Sequence, residues 1–159
     1  PGQIVLSGER AKIELAVSLA REHGIRRALV LNVAGAYHSR LMESACEKFG
    51  DSLLEVEMQP PSFPVWSNVT GGKVETLPEI RLTLQDQITG TVRWVDCMQG
   101  IVAHGADVFL ELGPGGVLAG LLQRTCKGVA VMSVSDVASL RTCAERLQSD
   151  LRVRDNAGR

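Results

Sequence analysis

DVFLELGPGGVLAGLLQRT, residues 107–125, changes character in its middle. DVFLEL (107–112) is a short apolar run of the kind a buried strand carries, GPGG (113–116) is a tight turn, and VLAGLLQRT (117–125) reads as a helix. VAVMSV (129–134) is one more strand, and DVASLRTCAERLQSDL (136–151) makes a closing helix with Asp136 as its N-cap. The polar RVRDNAGR (152–159) is expected to fray.

The same alternation runs upstream. QIVLS (3–7) and ALVLNV (28–33) read as strands flanking a helix over 9–23 that stops at Gly24, a β-α-β unit with a covered sheet. Leu41, Met42, Ala45, Cys46 and Phe49 form a helical stripe from about 39 to 54, broken by MQPPSFP (58–64) because successive prolines end a helix. VWSNV (65–69) reads as a strand, TGG turns the chain, and two helices follow between 78 and 104, joined by TGTV (89–92). Strands alternating with helices predict an α/β fold with a largely parallel sheet.

The chain has 159 residues, 45% hydrophobic and 22% charged, enough for one core. A net charge of −1 without a basic block gives no case for nucleic acid as a partner. No apolar run approaches the roughly 20 residues of a membrane helix, and the N-terminus has no signal pattern, so the expectation is a soluble, intracellular protein. Cys46, Cys97, Cys126 and Cys143 are scattered and form no CxxC pair; they read as reduced packing residues rather than a disulfide framework or a zinc site. The histidines do not have metal-site spacing: His23 and His104 sit before glycine at helix ends, where a cation complements the helix dipole. The chain starts at Pro1 and reads as cut from something longer.

Four separated pieces then agree with one family. PGQIVLSG (1–8), AGAYHSRLM (34–42), PVWSNVTG (64–71), and DQITGTVRW (86–94) followed by FLELGPGGVLAGLL (109–122) resemble, in order and spacing, the C-terminal half of malonyl-CoA:acyl carrier protein transacylases. The resemblance reaches to about residue 135. It implies transfer of a malonyl group from coenzyme A to a serine, then to the phosphopantetheine thiol of acyl carrier protein. His38 aligns with the general base, a role that suits imidazole near neutrality. Its ring is expected to be oriented by backbone carbonyls rather than a carboxylate, one of them from Gln87.

The resemblance also divides the chain. Residues 1–33 would be the second half of a ferredoxin-like small subdomain, 34–151 the C-terminal part of an α/β-hydrolase-like core, and 152–159 a tail. Substrate-binding residues would be Tyr37, whose bulk excludes an α-methyl group, Asn68, and Arg40, which would steer an acidic carrier protein. Plain alternatives stand beside these: packing for Tyr37, a strand end for Asn68, a solvated surface for Arg40. GPGG has the look of a phosphate cradle, but a structural strand-to-helix turn is the better reading.

No GxSxG occurs in the chain, and the arginine that pairs with the malonyl carboxylate in the family is missing as well. The isolated chain is therefore expected to be inactive, a fragment of a fatty-acid-synthesis enzyme. A polyketide-type acyltransferase segment and a non-catalytic carrier-binding remnant are the alternatives. No cofactor beyond the malonyl-CoA substrate is implied, no metal, a cytoplasmic location, and a monomer.

Overall fold

The structure, a computed structural model, describes residues 2–157, with side-chain surroundings for 2–149. It divides into two compact units, one of Gly2–Cys97 and one from Met98 on, so the 33/34 boundary lies inside the first.

In the first unit, α1 (Arg10–Leu19) is followed by a turn whose Gly24 has φ +75. A 3-10 turn at Arg40–Met42 leads into α2 (Glu43–Glu55). β1 (Val65–Ser67) and β2 (Gly72–Val74) pair antiparallel, with Val65 opposite Val74, and α3 (Leu77–Asp86) follows. Thr76 and Glu79 close a capping box at the start of α3, each binding the other's backbone amide, with a proline in the first turn. Arg81 reaches from α3 to the far end of α2, donating to the carbonyls of Leu53 and Val56 and satisfying acceptors that the helix end leaves open. Ala20, Leu53, Val74 and Cys97 are its buried apolar residues.

The expected strands at 3–7 and 28–33 are not formed. Neither segment has a ladder partner among the described residues, and its large apolar side chains stay open, from 54% exposed at Val30 to 87% at Ile4. An apolar, β-branched run states what a segment can bury; a strand also needs a neighbour's N–H and C=O groups. The β-α-β unit thus reduces to α1. The β1–β2 hairpin is the converse: β2 is only three residues long, its Gly72 belongs to the TGG turn, and the pattern assigns no strand to Lys73 and Val74.

The division between the units falls within α4 (Trp94–Ala103). In the second unit, β3 (Val108–Leu112) and β4 (Ala130–Val134) pair parallel from Val108–Ala130 to Leu112–Val134. A parallel pair needs a crossover, and α5 (Val117–Thr125) makes it, packing on both strands. α6 (Val137–Ala157) packs on β4, with Ser139 N–H donating to the Asp136 carboxylate at 2.7 Å. The helix continues past Leu151, so 152–157 of the expected tail are helical, while 158 and 159 lie outside the described residues. Met98, Leu122, Cys126 and Cys143 are buried in this unit.

Candidate active site

His38 stands between the end of the 28–33 segment and the 3-10 turn, with a backbone φ of +61, the only non-glycine positive φ among the described residues. That region is unfavourable for a residue with a Cβ and has to be held by neighbours. The neighbours are the residues that follow α3. His38 N–H donates to the Ile88 carbonyl at 3.1 Å, and ring Nδ1 lies 3.0 Å from the Gln87 carbonyl oxygen and 3.1 Å from that of Gly90.

Carbonyl oxygens only accept. Nδ1 is therefore the nitrogen that carries the proton in the neutral ring, and Nε2 keeps its lone pair. No described residue hydrogen-bonds Nε2, and His38 is exposed. The Gln87 side-chain amide lies 3.4 Å from Nδ1; beside a proton-bearing nitrogen it fits through its oxygen, a half-turn of the amide. Whenever the ring is neutral, the arrangement fixes its tautomer and leaves Nε2 open.

A nucleophile for that base is not among the near neighbours. Ser39, adjacent in sequence, donates its hydroxyl to Ala36 O at 2.6 Å and accepts from Leu41 N–H, capping the 3-10 turn. All four cysteines are free, but Cys46 donates to Gln85 O and Cys97 to Ser67 O. Burial first, and then the Asp96 carboxylate, push the Cys97 thiol up from its ordinary value, away from reactivity.

The other expected site residues are placed as follows. Tyr37 is half exposed, and its ring lies over Gly35, where an added Cβ would meet Cζ at 3.5 Å and the Met42 sulfur at 3.6 Å. Arg40 donates to the Glu9 carboxylate at 2.6 Å with its side chain 73% exposed. Asn68 directly follows β1, and its backbone carbonyl accepts from Arg93 N–H at 2.8 Å. Gln87 and His38 are brought into contact; Arg40 is directed to Glu9 instead.

The GPGG turn has its anion already. Glu111, inside β3, accepts from the amides of Leu118 at 3.0 Å and Ala119 at 3.1 Å, and from the Ser133 hydroxyl at 3.1 Å. The N-terminus of α5 is closed by a carboxylate of the same unit. Sequence pattern singles out neither Glu111, which lies within the apolar run DVFLEL, nor Gly90, which lies in the TGTV joint between helices.

The acyl transferase domain family matches residues 1–155. The chain belongs to this family. As an acyl transferase domain chain it is 35% identical over 157 residues to a malonyl CoA-acyl carrier protein transacylase of Bacillus subtilis, covering 99% of this chain and 49% of that protein. It is 42% identical over 133 residues to the polyketide biosynthesis malonyl CoA-acyl carrier protein transacylase PksC of the same organism, covering 83% and 46%. The crystal structure of a malonyl CoA-acyl carrier protein transacylase from Clostridium perfringens superimposes with a TM-score of 0.86 at 28% identity, over 93% of this chain and 46% of that one. This acyl transferase chain spans about half the length of the curated relatives it matches.

Proposed function

We propose that this chain supplies the general base of a malonyl-CoA:acyl carrier protein transacylase. The observation that carries the reading is the His38 ring, with Nδ1 between two carbonyls and Nε2 open. Nε2 takes the proton of a serine hydroxyl as its oxygen attacks the malonyl thioester carbonyl, and returns it to the departing coenzyme A thiolate. In the second half-reaction Nε2 accepts the proton of the phosphopantetheine thiol, whose sulfur attacks the serine ester, and gives it back to the serine oxygen. The serine and the carboxylate-binding arginine belong to the part of the transacylase absent from these 159 residues. The chain alone is then inactive.

The carbonyl of Gln87 holds the tautomer; Tyr37 restricts the α-carbon of the acyl group, Asn68 lines the pocket, and Arg40 attracts an acidic acyl carrier protein. Residues 1–33 belong to a ferredoxin-like small subdomain and 34–151 to an α/β-hydrolase-like core, in a cytoplasmic, monomeric enzyme of fatty-acid synthesis. No cofactor is needed. The identity to PksC supports polyketide synthesis as the second reading of the same chemistry.

The test is transfer of labelled malonyl from coenzyme A to acyl carrier protein by the complete gene product and its His38→Asn variant. A loss of about a hundredfold or more is expected, the scale of a general base. Full activity in the variant would overturn the assignment; an inactive unmutated protein would favour a non-catalytic carrier-binding remnant.

A further inference from the structure

We propose that Gly90 is a positioning residue for His38, and that position 90 has to lack a side chain for the ring to be held in one tautomer. The proposal rests on His38 as the base.

Three of the four residues 87–90 turn a carbonyl to His38: Ile88 to its backbone N–H, Gln87 and Gly90 to Nδ1. The segment can do so because it winds tightly as α3 ends. Gln87 N–H returns to Thr83 O, Ile88 N–H to Gln85 O, and both Thr89 and Gly90 N–H to Asp86 O, the last at 2.7 Å. The tightest point is Gly90. A Cβ there would lie 2.7 Å from Asp86 O and 3.4 Å from Val69 Cγ2. The closer obstacle is backbone, already engaged by the residue's own N–H, so it has no rotamer with which to withdraw. Gly90 is absent from the positive-φ glycines, so room rather than torsion is what it supplies.

A side chain at 90 therefore moves the 90 peptide and takes its carbonyl from Nδ1. Only Gln87 then faces Nδ1, its carbonyl at 3.0 Å and its side-chain amide at the longer 3.4 Å, on a ring that is exposed and carried by a residue at φ +61. With the three-centre hydrogen bond gone, the second tautomer, protonated on Nε2, becomes populated, and in that form Nε2 has no lone pair with which to accept a proton.

The experiment is ¹⁵N spectroscopy of the imidazole nitrogens in this chain and its Gly90→Ala variant above the pH at which the rings are charged, with His38→Asn assigning the signals. The unmodified chain is expected to show Nδ1 protonated and Nε2 bare; Gly90→Ala is expected to mix the tautomers. In the complete gene product, Gly90→Ala should lower kcat by about tenfold to a hundredfold with little change in KM, the scale of a misplaced catalytic group. An Nε2-protonated ring in the unmodified chain overturns the proposal even if the variant does not fold. So does an unchanged single tautomer in a folded Gly90→Ala. The two readings fail separately: mixed tautomers in Gly90→Ala with full transfer by His38→Asn would keep the positioning and sink the base, and a single tautomer with inactive His38→Asn would do the reverse.

Discussion

The guanidinium of Arg40 lies 2.6 Å from the carboxylate of Glu9, which also accepts from Lys12 at 3.1 Å. Lys12 first, and then Arg40, hold the Glu9 carboxyl below its ordinary value. The pair ties the N-cap of α1 to the turn after His38. Charge reversal at 40 would place two carboxylates together and disturb that tie as well as any carrier-protein contact. The cleaner comparison is Arg40→Ala with Glu9→Ala. If Arg40 steers an acidic partner, Arg40→Ala raises the KM for acyl carrier protein while Glu9→Ala, which frees the guanidinium, does not. The difference should fade towards 1 M salt, where the screening length is about 3 Å. KM measured across ionic strength checks this.

At His38, asparagine and alanine are expected to behave differently. Both remove the base, so transfer by the complete gene product should fall alike. Asparagine tolerates the left-handed region in which φ +61 lies, whereas alanine meets a cost of about 1 kcal/mol. Urea melts of the two variants should therefore differ by about that amount, asparagine being the more stable.

Glu111→Ala leaves the Leu118 and Ala119 amides without their acceptor. The expected loss is about 1–2 kcal/mol, as for a removed N-cap, read as a lower urea midpoint with an unchanged slope. Ser133→Ala, which removes one neutral donor from the same carboxylate, should lose less.

Two exposed carboxylates are expected to give stability a small acid dependence. The backbone amides of Thr76 and Glu75 depress Glu79 below its ordinary 4.5, and the amide of Ser139 depresses Asp136 below 3.8. A depressed carboxylate contributes fully above its unfolded value and loses that contribution as pH falls through its folded one. Stability should then be level from neutrality down to about pH 5 and decline below it as far as these groups are concerned. Glu79→Gln, which keeps the capping geometry but does not titrate, should flatten part of that decline in urea melts taken at successive pH values.

Among the cysteines, Cys46 is half-buried while Cys97 is 2% exposed with a raised thiol. A thiol reagent should modify Cys46 first in the native chain, and Cys97 only on unfolding. Mass spectrometry of partially labelled protein resolves the order.

The second unit was the more legible in sequence, because each of its elements answers to a local rule. VLAGLLQRT becomes a helix over the same residues, 117–125, and DVFLEL and VAVMSV become paired strands within a residue of their ends. The 3–7 and 28–33 runs failed where the rule is not local, since pairing depends on a neighbour that periodicity does not describe. The contact between His38 and Gln87 spans 49 positions and involves a main-chain oxygen, which no side-chain pattern encodes; only the family resemblance pointed to it. Gly90 was hidden for a related reason, its contribution being an atom it lacks.

Glu111 has a consequence for how the second unit meets its surroundings. A helix start preceded by glycines is a place where dissolved phosphate or sulfate can settle and hold a fold together. Here the counter-charge is tethered by the chain itself, on the strand that leads into the turn, and is present at any dilution. Millimolar phosphate is therefore expected to find no vacant acceptor position at the Leu118 and Ala119 amides and to leave the chain's melting temperature unchanged through this site.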